Sequence, residues 1–510
     1  MRITNNMIMS NAKSNINGTK VLVDKYNTQM TTQKKISKAS EDPVIAIRSL
    51  RLSTSLSHID QYVDNNIPDA DSWLDVTETA LTNMKSILTD IRTQCVKGAT
   101  DTLTAEDRNT ILQSLSALGE QVYAEGNADY AGRTVFTGYR TSSKLTFMDD
   151  TPETTYEINQ NFTSADLKES RYYTEGVTVP ATISTTGTVT PDCDTDVTEH
   201  TYKKLRLAYG KTTEDVNLKV DGVDATFRTY EKSSEFNPEG LGADEIAYIQ
   251  ETGEFIFGKN VSTAIEDANS TLEVTYVKTG FDGSDARPEY YYDCKDITAA
   301  ISLDGDHKII RNGAGEIVYN DADKIVSYTY SDQPINYTVA NNTNITVNTQ
   351  AKDVMDTSIK RDVEEMIVVV QNAINAHDKV DQIEKMMKQE QYKAPEAQAI
   401  LQTYLDAAKQ EADYADDNLQ KTYSQYITNF DGYMNKVNLS ITNSGSTQSR
   451  LTLIKTRIED QQSTIEELKS SNEDRDISDI MIDYYAMYQA YQASLTAASK
   501  VSERSLLDYI

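Results

Sequence analysis

Three aspartates, Asp192, Asp194 and Asp196, stand at the D-x-D-x-D spacing that opens a calcium loop of the EF-hand type. Such a loop needs glycine at its sixth position and a bidentate glutamate at its twelfth. Val197 and Lys203 occupy those places, so the run reads as an acidic loop. Asp282 and Asp285 in GFDGSDA could draw a cation, but Asp and Gly at these intervals are the residues of a β-turn. His58 and Cys95 could act as base and nucleophile. Cys95, however, falls on a helical apolar seam, the place of a small core residue. No G-x-S-x-G, H-E-x-x-H, G-x-G-x-x-G or Walker-type run occurs. The cysteines, Cys95, Cys193 and Cys294, are odd in number and far apart, which suggests neither a disulfide framework nor a zinc knuckle. The expectation is no enzyme, with no catalytic, cofactor-binding or metal residue and no cofactor.

A chain of 510 residues exceeds what one hydrophobic core supports, so two to four domains are expected. Its formal charge is −30, the wrong sign for a nucleic-acid or membrane-surface partner. The charge is uneven: residues 1–50 carry eight Lys and Arg against three Asp and Glu, whereas 151–350 carry 16 against 34. That middle zone reads as a solvated surface domain. No run of about 18 apolar residues occurs, so no transmembrane helix is expected, and the first twenty residues lack the apolar core of a cleaved signal peptide.

The elements follow from periodicity. Ile8, Ala12, Ile16, Val23, Tyr26 and Met30 form a helical stripe on a polar segment. Pro43, with Ser40 or Asp42 as cap, opens a second helix whose face, Leu52, Leu56, Ile59 and Val63, runs until Pro68. Thr77, Leu81, Met84, Leu88, Ile91 and Cys95 make a heptad-like seam. Thr104 with Asp107 forms a capping box for a helix with Ile111, Leu115, Leu118 and Val122 inward, ended by Gly126.

From about residue 135 the period becomes two. TVFTGY, TYEINQNFT and LEVTYVKTGF have strand composition, and hairpins are expected at Asp221-Gly222 and Thr252-Gly253. Helical spacing returns with Ile359, Val363, Met366, Val370 and Ile374. Leu451, Ile454, Ile458, Gln461, Ile465 and Leu468 form a further seam with one polar position, Gln461. After the charged break SSNEDRD, a last stripe runs through Ile477, Ile480, Met481, Tyr484, Met487, Tyr488, Tyr491 and Leu495.

The predicted fold class is α+β and multidomain: an elongated helical bundle or coiled coil formed by both chain ends, with a β-rich inserted outer domain. The expected division is 1–43 with 470–510 as a terminal helical assembly domain, 44–140 with 352–469 as a helical bundle, and 141–351 as one or two β-rich modules. The two terminal stripes each need a partner, either one another or another subunit. Ile8, Ile16, Val23, Tyr26, Ile480, Tyr484, Met487, Tyr491 and Leu495 are therefore the candidate assembly interface, and both ends are expected to order only on assembly.

The opening MRITNNMIMSN, followed by KISKASEDPVIAIRSLRL, ADSWLDVTETALTNM, GATDTLTAEDR and NADYAGRTVFTGYRT, resembles the start of the hook–filament junction proteins of the bacterial flagellin family. SRLTLIKTRIEDQQSTIEELKSSNEDRDISDI and YQASLTAASKVSERSLLDYI look like the C-terminal region those proteins share with flagellin. VTYVKTGFDGSDARPEYYYDCKD and INYTVANNTNITVNTQAKDVMD are similar to segments of longer members. Glu41-Asp42-Pro43-Val44 stands where flagellins usually carry a Gly-Leu-Ala-type run. The end Leu506-Leu507-Asp508-Tyr509-Ile510 and Trp73 in SWLD also favour the junction branch over flagellin. One position departs from the family pattern: Gln33 stands where glycine is common in the loop before the second helix.

The resemblance implies a structural, non-catalytic protein whose terminal helices pack with neighbouring subunits in a homo-oligomeric ring, the β domain facing solvent. It implies the first hook-associated junction protein, flagellin and an export chaperone on the C-terminal helix as partners. It also implies an extracellular place on the flagellum, reached through the flagellar type III export channel without signal cleavage. The alternatives are a flagellin with an enlarged outer domain, or an adhesin-type binding module in the β insertion.

Overall fold

The computed structural model describes residues 5–100, 103–173, 177–179, 182–183, 198–305, 307–312 and 317–503. Asp192, Asp194, Asp196, Cys193 and the closing 506–510 lie outside them.

Four helices come first: α1 (Asn5–Thr32), α2 (Pro43–Gln61), α3 (Ile67–Gly98) and α4 (Ala105–Glu125). Asp42 caps α2, its carboxylate accepting the Val44 and Ile45 amides at 2.9 and 3.1 Å, with Pro43 at the first helical position. Pro68 does not end the second helix as its sequence suggests. Lacking an N–H and crowding the carbonyl four residues back, it is accommodated by a π-helical turn, Tyr62–Asn66, and α3 continues beyond it. The Thr104–Asp107 capping box is formed, and Gly126 caps the end of α4.

Strands β1 (Asp129–Tyr130) and β2 (Arg133–Thr134) follow as a small hairpin. TVFTGY is not a strand. Beyond Thr134 its backbone turns, with Gly138 at φ 61°, and the Thr134 and Thr137 hydroxyls donate to the carbonyls of Ser143 and Arg140 at 2.8 and 3.1 Å. Local side-chain bonds of this kind outcompete a ladder.

Then come β3 (Thr151–Thr163), β4 (Lys168–Tyr173), β5 (Glu199–Arg206), β6 (Val216–Val220), β7 (Val223–Asp224), β8 (Arg228–Tyr230), β9 (Ile246–Ile249) and β10 (Glu254–Phe257). After α5 (Lys259–Ala268) follow β11 (Thr271–Phe281), β12 (Asp293–Asp296), β13 (Val326–Tyr328), β14 (Asn336–Ala340) and β15 (Thr343–Thr346). One sheet has the order β13-β12-β3-β11-β6-β7 and a second β4-β5-β10-β9-β8. Both predicted hairpins form. Asp221 and Gly222 adopt φ 50° and 80° between β6 and β7, and Gly253 adopts φ 60° between β9 and β10.

The chain closes with a single turn, α6 (Ala351–Val354), then α7 (Ser358–Met387), the 79-residue α8 (Pro395–Glu473) and α9 (Ile477–Glu503).

Two compact units result. The first comprises 1–71, 336–345 and 448–510; the second comprises 72–335 and 346–447. In the second unit the strand-borne core gathers Tyr156, Ile158, Leu205, Tyr248, Phe255 and Tyr276. The seams Thr77–Cys95 on α3 and Ile359–Ile374 on α7 are buried as their spacing requires. At Gly98 an added Cβ would lie 2.3 Å from the Tyr423 ring, so a larger residue there would force that ring to shift.

In the first unit, Leu451, Ile454 and Ile458 of α8 are buried, but the seam then departs from the expected register. Gln461 is exposed and Leu468 is 55% exposed; the inward polar residue is Gln462, which donates to Asp60 on α2 at 2.8 Å. A straight α-helix drifts against a strict heptad, so the face selected by spacing rotates out.

Candidate assembly interface

Helices α1 and α9 lie in the first unit and pack against each other. The end of α1 meets the start of α9, so the pair is antiparallel. α1 has little to hold it as a helix by itself. In α1 no acidic residue occupies the first turn and no basic residue the last, and Thr19, Thr28, Thr31 and Thr32 turn their hydroxyls back to carbonyls one turn earlier. Asp476 caps α9 by accepting the Ser478 amide at 2.7 Å.

The predicted interface residues divide between two faces. Ile480 is fully buried, and Ile16, Val23, Tyr26, Tyr484, Met487 and Tyr491 are half-buried in the pair. Ile8 and Leu495 remain exposed, at 40% and 43%. Leu495 belongs to a second stripe with Ile477, Met481, Tyr485 and Tyr488, all exposed. The rings of Tyr484 and Tyr488 stack at 6.0 Å, and Tyr485 meets Tyr484 edge-on at 5.8 Å, so one aromatic cluster spans both faces. Exposed apolar residues continue on α1 at Met7, Met9, Val21 and Leu22, and on α2 at Val44, Ile47 and Leu50.

Spacing did not mark the polar groups that fix this pair. Gln29 of α1 is buried, bonds the Lys35 carbonyl and accepts from Arg475 at 3.1 Å. Arg475 also lies 5.6 Å over the Tyr26 ring and pairs with Asp483. Gln33 adopts φ 56°, the left-handed conformation for which glycine is the usual residue, and its amide closes on the Gln29 carbonyl at 2.6 Å. The signal available in the sequence was the opposition of KK in one loop and NEDR in the other.

Cys95 is buried with its sulfur 3.4 Å from that of Met366, and burial pushes its thiol up to about 12. Cys294 is buried and its thiol is likewise pushed up. Buried neutral thiols are poor nucleophiles. His58 sits exposed on α2. Asp282 and Asp285 form the expected turn, the Asp285 amide donating to the Asp282 carbonyl at 2.9 Å, and the Asp285 carboxylate accepts from Lys360 at 2.6 Å. Among the described residues no group of three or more His, Cys, Asp and Glu could hold a metal, and no helix is long and apolar enough to cross a membrane.

In the second unit a cleft of about 370 Å³ opens between β5, α7 and α8, lined by Lys204, Arg206, Glu365, Tyr426, Asn429 and Tyr433 among others. Its buried charges are matched internally. Arg206 pairs with Asp362 and with Glu365 at 2.8 Å, and Lys204 donates to Glu254 and Glu365 at 2.9 and 2.6 Å. Burial alone would raise Glu365, but Lys204 and Arg206 hold it well below the usual carboxylate range. This cluster ties the sheet to the helices.

Residues 3–141 match the bacterial flagellin N-terminal helical region. The chain is 26% identical over 144 residues to flagellar hook-associated protein 3 of Salmonella typhimurium, and 25% identical over 144 residues to that of Escherichia coli. Each match covers 28% of this chain and 45% of the relative, so the chain spans less than half the length of the curated relatives it matches. Among solved structures, flagellar hook associated protein-3 of Legionella pneumophila is similar at 10% identity and a TM-score of 0.21, over 81% of this chain and 98% of that one.

Proposed function

We propose that this chain is a structural subunit of the bacterial flagellum, a hook-associated protein 3 that joins hook to filament and templates flagellin assembly. The observation that carries the reading is the sequence match of its helical front to hook-associated protein 3 of two organisms, within a region of flagellin N-terminal type. Both curated relatives are named hook-associated protein 3 and neither is named flagellin, which favours this over a flagellin with an enlarged outer domain.

The exposed apolar stripes of α1, α2 and α9 support an assembly role, because a water-facing surface of that kind calls for a cover. On this reading neighbouring subunits of a ring, the first hook-associated junction protein and flagellin supply the cover. An export chaperone takes the α9 stripe inside the cell, by the helix-in-groove mode, before passage through the flagellar export channel. The protein acts outside the cell and does no chemistry. The proposed division keeps 1–43 with 470–510 as the assembly part, 44–140 with 352–469 as the helical body and 141–351 as the outer part.

The two faces of α9 make the test specific. Tyr485→Asp with Tyr488→Asp places two charges on the outward stripe and reaches the α1 seam only through the Tyr484 ring. Cells carrying it should build hooks, fail to retain filaments and release flagellin into the medium, while the purified chain keeps its helix content. Tyr484→Asp with Tyr491→Asp should give the same cellular outcome and also loosen the pair. Normal filaments in the outward variant would sink the assembly reading.

A further inference from the structure

The loop joining α1 to α2 and the break joining α8 to α9 carry opposite charges and are laid side by side. Lys34 donates to Asp474 at 2.6 Å and to Glu473 at 3.1 Å. Lys35 reaches the Ser471 and Asn472 carbonyls, which the end of α8 leaves without helical partners. The backbones also meet: the Lys35 amide donates to the Glu473 carbonyl at 2.6 Å and the Arg475 amide to the Gln33 carbonyl at 2.9 Å. Arg475 then spans the pair, touching Gln29 and Tyr26 on α1 and Asp483 on α9.

The apolar seam beyond this clasp is thin. Among the described residues of α1 and α9 only Gln29 and Ile480 are buried to core level, and both lie at the clasp end. The farther seam residues are half-buried, and Leu495 is exposed. A helix pair with so little interior area depends on whatever else pins it. Here the pin consists of partly exposed ions, two backbone hydrogen bonds and a loop that holds Gln33 in a left-handed conformation.

We propose that this clasp is an electrostatic latch: closed, it holds α1 against α9, and its release uncovers the seam Ile480, Tyr484 and Met487. The latch does not depend on the assembly reading. If a partner takes that seam, the latch is the contact the partner must displace.

Hydrogen exchange of the full-length chain at low and high ionic strength tests this. The native chain should lose roughly three- to tenfold of its amide protection over residues 480–491 as salt screens the ion pairs. Lys34→Glu should show the low value at both salt levels. Lys34→Glu combined with Asp474→Lys should recover protection at low salt. Fluorescence of Trp73, buried in the second unit and the single tryptophan of the chain, should report unchanged unfolding of that unit in every variant. Protection in α9 that is indifferent to salt and to Lys34→Glu would overturn the latch, because the seam, the backbone bonds and the Arg475–Gln29 contact would then hold the pair without the ions. A Lys34→Glu change that also lowered the Trp73 midpoint would overturn it too, because the clasp would then belong to global stability.

Discussion

In the second unit, Lys204, Glu254 and Asp362 are buried, and Arg206 and Glu365 are half-buried beside them on the wall of a cleft. In the first, Lys34, Glu473, Asp474 and Arg475 meet near the surface beside a half-buried seam. Of the 25 large hydrophobic side chains left exposed among the described residues, 16 belong to the first unit, although it is the smaller. Charge that is buried and matched locks elements together, since breaking one partner strands the other. Charge held at the surface can be screened and released. The contrast sets a unit that buries and matches its charge against one that leaves more of its large apolar side chains exposed.

The sharpest way to break the comparison is Asp362→Ala. Asp362 accepts from Arg206, from Asn429 at 3.0 Å and from the Tyr433 hydroxyl at 2.8 Å. Its loss leaves the buried Tyr433 hydroxyl and the half-buried Asn429 amide without this acceptor and Arg206 with Glu365 alone, and should cost about 3–5 kcal/mol of second-unit stability, read from denaturant unfolding at Trp73. A loss below about 1 kcal/mol would put that cluster on the same footing as the surface clasp.

Within the first unit, Ile458→Ala removes a buried side chain of α8 and should destabilise by about 2–4 kcal/mol. Leu468→Ala should be almost silent. Exchange rates along α8 would distinguish the two, and equal effects would restore the strict heptad register. Gln461→Leu should not stabilise, because Gln461 faces water.

Gln33→Gly should stabilise the α1–α2 loop by up to about 1 kcal/mol, since glycine carries no penalty at φ 56°. The gain should appear as slower exchange at Lys35 and Arg475.

The smallest effect is on pH. The Lys34 and Ser470 hydrogen bonds hold the Asp474 carboxylate below its ordinary range; burial opposes this at Glu473, but hydrogen bonds from Ser49 and Lys34 outweigh it. Carboxylates depressed in the folded state contribute stability that is present above their unfolded values. That contribution is lost as pH falls through the folded ones, below about pH 4. Protection of α9 should therefore be flat from neutral pH to about 5 and fall below 4. A fall between pH 6 and 8 would assign the clasp to other groups.

Most helical elements were legible because their determinants are local. The Thr77–Cys95 seam, the Thr104 capping box, the Asp42–Pro43 start and the Asp221-Gly222 turn each depend on residues within a few positions of one another. TVFTGY misled because strand-forming residues there met two threonines with nearby carbonyls to bond. Pro68 misled because a π-turn can absorb what a regular helix cannot.

The sequence by itself determined the helical ends, the β-rich middle and the amphipathic character of α9, because hydrophobic period, caps and turn residues act over one or two turns of chain. Only the tertiary structure decided which of the two apolar faces of α9 would meet α1, that Gln462 rather than Gln461 would turn inward, and that Lys34 would find Asp474, 440 residues away in the chain. Those outcomes depend on where distant segments come to rest, and the free-energy differences that select them are small, nonlocal and shared among many contacts.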